Sequence, residues 1–182
     1  MRLANRPDGF GPVTRLLHWG MAAGILGMLA FGLTLVRMRM SLATVWLFGL
    51  HKSIGITLLA LALLRLLWHR VSPPPGPLGG VPAAQLALAR WTHRALYLLM
   101  LAVPLSGWAG SAATGIDVVV FNTLTLPPIV PPSEAGAKAL LTLHHWLTWA
   151  LMGLLALHVA GALKRSVLAR DGTLSRMVLG RR

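Results

Sequence analysis

The chain has no cysteine. That excludes disulfides, thiolate metal sites, iron–sulfur clusters and thiol catalysis. Charge is scarce as well: 12% of the 182 residues are charged, against about 25% in an average soluble domain. Acid is scarcer still. The acidic residues are Asp8, Asp117, Glu134 and Asp171, and none falls inside an apolar stretch. An ion-coupled carrier usually keeps a carboxylate at mid-membrane, so that class is disfavoured, as is a carboxylate-rich metal site.

What is present in abundance is apolar side chain, 55% of the residues. Four long apolar stretches emerge, at residues 14–36, 45–68, 91–112 and 139–163. Each meets the length of about 20 residues that a helix needs to cross a bilayer. The expected fold class is all-α, an integral membrane four-helix bundle. Residues 1–182 read as a single transmembrane domain, with no room for a sizeable soluble one. The first stretch is followed by no small-residue cleavage motif and reads as a retained helix. Pro104 lies inside the third, where a kink is expected. The linkers SPPPGPLGGVP (72–82) and LPPIVPPS (126–133) read as non-helical. The connection between the third and fourth stretches is the longest, carries Phe121, and is expected to lie as a lid at the membrane interface. There is no internal repeat.

The net charge of +13 fits either nucleic acid or membrane topology with anionic lipid, and the apolar stretches decide for the second. Nucleic acid is therefore not an expected partner. One side of the membrane would hold thirteen of the seventeen Lys and Arg: Arg2, Arg6, Arg15, Arg65, Arg70, Arg90, Arg94, Lys164, Arg165, Arg170, Arg176, Arg181 and Arg182. The other would hold Arg37, Arg39, Lys52 and Lys138. Both termini are thus expected in the cytoplasm.

The histidines carry the chemistry. His144 and His158 lie fourteen residues apart on the fourth stretch. At about 1.5 Å per residue they stand roughly 21 Å apart, near opposite faces of a core about 30 Å thick. At about 100° per residue they are only about 40° apart around the helix. One helix thus offers one imidazole at each membrane surface, facing the same way, which suits two stacked metal centres and an electron path between them. By depth, His158 matches His18 and His144 matches His51. His145 is the rival of its neighbour but sits about 140° from His158 and by this count faces elsewhere. The plainer reading of any single membrane histidine is a hydrogen-bonded packing or interfacial residue, and His69 beside Arg70 reads so. Gly55 and Gly161 share a face with His51 and His158 and would admit a flat cofactor, or simply close helix packing. Arg65 sits within the second stretch with no acid to meet. Its partner is expected to be a lipid phosphate, a backbone carbonyl or a bound anion, unless it snorkels to the surface.

VTRLLHWGM (13–21), HKSIGITLLALALLRLLW (51–68), WTHRALYLLMLAVPLSGW (91–108) and LHHWLTWALMGLLALHVAGALK (143–164) together resemble the bacterial cytochrome b561 family. The resemblance implies a bundle in the bacterial inner membrane holding two haems b, with axial ligands on His18, His51, His144 and His158. It places His93 near the cytoplasmic haem or a quinone pocket. The doubled His144–His145 and Lys52 beside a ligand depart from a plain match. Family members move electrons between membrane quinone and a small donor or partner protein, and one type resembles a superoxide oxidase that reduces ubiquinone. Haem ligated on both faces has no open position, so outer-sphere electron transfer is expected. Lys52, Lys138, Arg37 and Arg39 would steer an anionic donor, and Arg65, His93 and Arg94 would receive the quinone. The alternative is a cytochrome b anchor subunit of a hydrogenase or dehydrogenase complex.

Overall fold

The computed structural model describes residues 3–180. Arg2, Arg181 and Arg182 of the basic tally lie outside the described residues. The elements are α1 (Pro12–Leu35), α2 (Val45–Val71), α3 (Ala83–Ala113), β1 (Val118–Val120), β2 (Leu124–Leu126), α4 (Glu134–Leu163), a π-helical segment (Lys164–Ala169) and α5 (Thr173–Val178). Helices α1 to α4 are each long and apolar enough to cross a membrane. Helices suit that solvent because every backbone group is satisfied within the segment.

The helix ends follow local chemistry. Gly11 precedes α1 and Pro12 opens it, where the missing N–H costs nothing. A Cβ at Gly11 would lie 2.4 Å from the Leu3 carbonyl oxygen, so only glycine fits. Ser133 caps α4 by accepting from the Gly136 N–H, with Glu134 in the first turn to meet the helix dipole. Helix α3 begins eight residues before its apolar stretch, because AALALA-type sequence around Gln85 continues the helix into water as readily as into lipid.

Consecutive helices pack side by side, and α3 against α4 is the largest interface. The core runs through the middle of the bundle: Met21 and Ile25 from α1, Ala62 from α2, Leu96 and Leu99 from α3, and Leu151 from α4. Outward positions such as Leu16, Leu67, Leu98, Trp146 and Val159 stay exposed in the isolated chain, as side chains facing lipid should.

One finding departs from a purely helical fold. The α3–α4 connection contains an antiparallel hairpin, with Val118 opposite Leu126 and Val120 opposite Leu124. Phe121 and Asn122 turn it at φ 46° and 58°. A phenylalanine in the left-handed region is no turn signature, so the residues themselves do not announce the hairpin. The hairpin is fastened to α2. Buried Ser53 accepts from Phe121 N–H at 2.9 Å, and Lys52 Nζ donates to the Asp117 carbonyl at 2.8 Å and to Ser111 Oγ at 3.2 Å. Lys52 is therefore also engaged in structure, fastening the hairpin to α2.

At the opposite end the described segments near each end of the chain and the proline-rich linker are tied together. The buried Arg176 guanidinium donates to the carbonyls of Asp8 and Gly76, each at 3.1 Å, and to that of Pro7 at 3.4 Å. Asn5 ties the N-terminal loop to Ser72 and Pro73. Trp19 Nε1 and Arg15 reach the carbonyls of Met177 and Val178.

Candidate metal centres

Two imidazole pairs form inside the bundle, one toward each end. Toward the hairpin end, α2 brings His51 and α4 brings His144 to a ring-centre distance of 6.3 Å. Toward the termini end, α1 brings His18 and α4 brings His158 to 6.3 Å as well. All four rings are half-buried. A metal–imidazole bond of about 2.0–2.1 Å on each side, plus about 1.1 Å from nitrogen to ring centre, sets two imidazoles flanking one metal roughly 6.3 Å apart. Both pairs match that spacing. Among the described residues no group of three or more His, Asp or Glu is arranged to hold a metal ion. A two-imidazole site suits a metal that brings its remaining ligands with it, as iron in a porphyrin does.

The surroundings of the hairpin-end pair fix its chemistry. His144 Nδ1 donates to the Val103 carbonyl at 2.8 Å, because a carbonyl can only accept. That leaves Nε2 with its lone pair, the usual arrangement behind a metal-ligating histidine. Ser106 Oγ lies 3.2 Å from the same Nδ1. Two glycines allow the rings their place. A Cβ on Gly107 would lie 3.1 Å from His144 Cε1, and one on Gly32 would lie 3.3 Å from His51 Cε1. Phe31 packs against His51 with ring centres 5.8 Å apart. His51 Nδ1 is buried and has no hydrogen-bond partner among the described residues.

At the termini end the polar groups differ. Arg65 Nη2 lies 3.2 Å from His18 Nδ1. A guanidinium only donates, so Nδ1 accepts. Arg65 Nε also donates to the Tyr97 hydroxyl at 3.0 Å. Arg65 thus meets a phenol and an imidazole inside the bundle, and the side chain does not snorkel away. His93 stands 5.0 Å from His158 between ring centres, with its Nδ1 donating to the Ala89 carbonyl of its own helix.

Not every singled-out residue joins a centre. Arg94 is exposed and lies over the Trp91 ring at 5.5 Å, one face away from His93. His145 is exposed and accepts from Trp149 Nε1 at 3.1 Å, turned from His51 as its helical angle required. Gly161 faces open space, and the atom nearest a Cβ on Gly55 is Met28 Cε at 3.9 Å, so neither is where the chain closes on an imidazole. Gly32 and Gly107 are, and the sequence reading passed over both. It also missed Tyr97, the single tyrosine of the chain, although Tyr97 follows His93 by one helical turn.

A profile described as prokaryotic cytochrome b561 matches residues 9–180. The chain is 37% identical over 181 residues to cytochrome b561 homolog 2 of Escherichia coli strain K12, a match covering 98% of this chain and 95% of the relative. It is 37% identical over 134 residues to cytochrome b561 homolog 1 of the same organism, covering 70% of this chain and 72% of the relative. It is 30% identical over 134 residues to a probable superoxide oxidase CybB of Yersinia pestis, covering 73% and 75%. The agreement extends along the chain rather than resting on one span: the protein belongs to the prokaryotic cytochrome b561 family of bacterial membrane electron-transfer proteins, a family that implies haem b.

Proposed function

We propose that the whole chain is one di-haem domain in the bacterial inner membrane, both termini cytoplasmic, passing electrons from an outer donor to membrane quinone. His51 and His144 would hold one haem b and His18 and His158 the other. The observation that carries this reading is the pair of equal 6.3 Å imidazole spacings at two depths of the bundle. Haem supplies a one-electron iron couple when bound.

The chain's own residues do the rest. His144 is held by the Val103 carbonyl so that one nitrogen remains available to a metal. At His18 a metal on Nε2 would replace that nitrogen's proton, and the Arg65 guanidinium beside Nδ1 offsets the negative charge so created. Two imidazoles per iron leave no position for oxygen, which favours outer-sphere transfer. Arg37, Arg39 and Lys138, on the hairpin side, attract an anionic donor. Superoxide fits that charge, and one relative bears the name of a probable superoxide oxidase. The balanced conversion is two superoxide, one quinone and two protons to two dioxygen and one quinol. Basic residues massed on the termini side support the cytoplasmic orientation.

The test is a reduced-minus-oxidised absorption spectrum of detergent-purified protein with haem counted per chain. Two b-type haems per chain support the reading. One haem, or a colourless protein from cells supplied with haem, overturns it.

A further inference from the structure

Reducing a quinone takes protons as well as electrons, because both carbonyl oxygens become hydroxyls. The described helices carry no carboxylate except Glu134, at the hairpin end of α4. Arginine does not give up a proton near neutral pH. Asp8 and Asp171 lie at the termini end but outside the helices, and Asp171 is paired with Arg165; within the helices at that end, the groups able to move one are histidine and tyrosine.

Two of them, Tyr97 and His69, stand in a row with Arg65. Arg65 Nε donates to the Tyr97 oxygen at 3.0 Å, and that oxygen lies 3.4 Å from His69 Nδ1. With the His69 proton on Nδ1, the phenol oxygen accepts from both neighbours. Its own O–H is then free for a third group. His69 Nε2 is the nitrogen left for exchange; it is buried and has no hydrogen-bond partner among the described residues. His69 stands two residues from the end of α2, where the chain leaves the bundle beside exposed Arg70. The groups facing this pair are Arg65 on α2 and, through Arg65, His18 on α1. His93 Nδ1 donates to the Ala89 carbonyl at 2.6 Å, so that nitrogen does not relay a proton between two groups as the His69 ring can.

We infer that His69 and Tyr97 form a proton-delivery pair for a quinone-class acceptor bound beside Arg65 at the termini end. The inference rests on the quinone reduction proposed above. In each of two rounds the Tyr97 O–H bond breaks as an O–H bond forms on a quinone oxygen. The phenol oxygen takes the His69 Nδ1 proton as Nε2 takes one from a water admitted at the end of α2, and a flip of the imidazole ring turns the protonated nitrogen back to the phenol before the second round. The two electrons come from the outer donor, which is oxidised.

The experiment uses the full-length, haem-loaded protein in liposomes with a short-chain ubiquinone. Two steps are timed separately: haem reduction by the donor, and quinol formation. In Tyr97→Phe and His69→Gln the first step is unchanged. The second slows about 10- to 100-fold, short of the full 10²–10⁴ of a positioned acid because water partly substitutes, and its solvent deuterium isotope effect changes. Free imidazole restores quinol formation in His69→Ala, which a merely structural role would not allow. Unchanged quinol formation in His69→Gln, or no rescue by imidazole, overturns the inference. If Tyr97→Phe loses its haem, the His69 variants still decide. Failure of wild-type haem reduction would instead sink the reading on which the inference rests.

Discussion

Gly107→Ala separates a built site from a pair of histidines that merely pack. The added methyl carbon would stand 3.1 Å from His144 Cε1 and 3.2 Å from Nδ1, where ordinary contact begins at 3.4 Å. The ring must retreat by about 0.3 Å, and the 2.8 Å bond to the Val103 carbonyl must stretch or bend. Overpacking of this kind costs about 1–3 kcal/mol, and Ala improves helix propensity by about 1 kcal/mol at the same position. The helix as a whole is thus little affected while the imidazole is displaced. The expected result is a roughly 5- to 150-fold weaker hold on the hairpin-end haem, the conversion of 1–3 kcal/mol into an equilibrium, with the other haem unaltered. The assay is haem per chain after dilution and extended washing in detergent, followed by redox titration. Gly153→Ala, on α4 with nothing within 4 Å of the new methyl, is the control and should keep both haems. Equal haem content and equal potentials in Gly107→Ala and Gly153→Ala would refute the reasoning.

Other consequences are as concrete. His144→Ala should lose one haem while His145→Ala keeps two, since His145 is tied to Trp149 on the outer surface; pyridine haemochrome counts read this directly. Arg176→Ala removes three guanidinium bonds to backbone carbonyls and should destabilise the termini-end contact by about 2–3 kcal/mol, seen as faster hydrogen exchange in residues 72–76 and 173–178 with exchange in α3 unchanged. Lys52→Met should free the hairpin, and limited proteolysis should cut between residues 117 and 126 faster than in wild type. Asp171 gives a pH dependence. Burial pushes its carboxyl up, but bonds from Thr173 and the Arg165 guanidinium outweigh that and hold it below its ordinary 3.8. Its contribution is complete above that value and is lost as pH falls through the lowered one. Exchange protection of α5 should therefore hold from neutral pH to about pH 4 and decline in stronger acid.

The bundle was legible because length and hydropathy alone decide a membrane helix, and the acids are missing from the very stretches that must lie in lipid. The histidine pairs were legible for a narrower reason. A helix fixes angle and rise, so fourteen residues set the facing of His144 and His158, and depth then matched His51 and His18. The same count turned His145 outward. What escaped depends on contacts between segments distant in the chain. Gly107 meets His144, thirty-seven positions on, and no periodicity marks it among nineteen glycines. Arg65 finds Tyr97 and His18 only once three helices are assembled. The hairpin is held by Ser53 and Lys52 of α2 rather than by its own turn residues. Arg176 sits in a segment whose composition resembles any cytoplasmic tail, yet it is buried in the contact between the described segments near each end of the chain and the proline-rich linker.

The central claim is that two irons are each held by two imidazoles. Low-temperature electron paramagnetic resonance of the oxidised, purified protein tests it most directly. The account predicts two low-spin ferric signals, with one vanishing in His144→Ala and the other in His158→Ala. A high-spin signal of comparable size in the wild type, or a single low-spin signal, would contradict it.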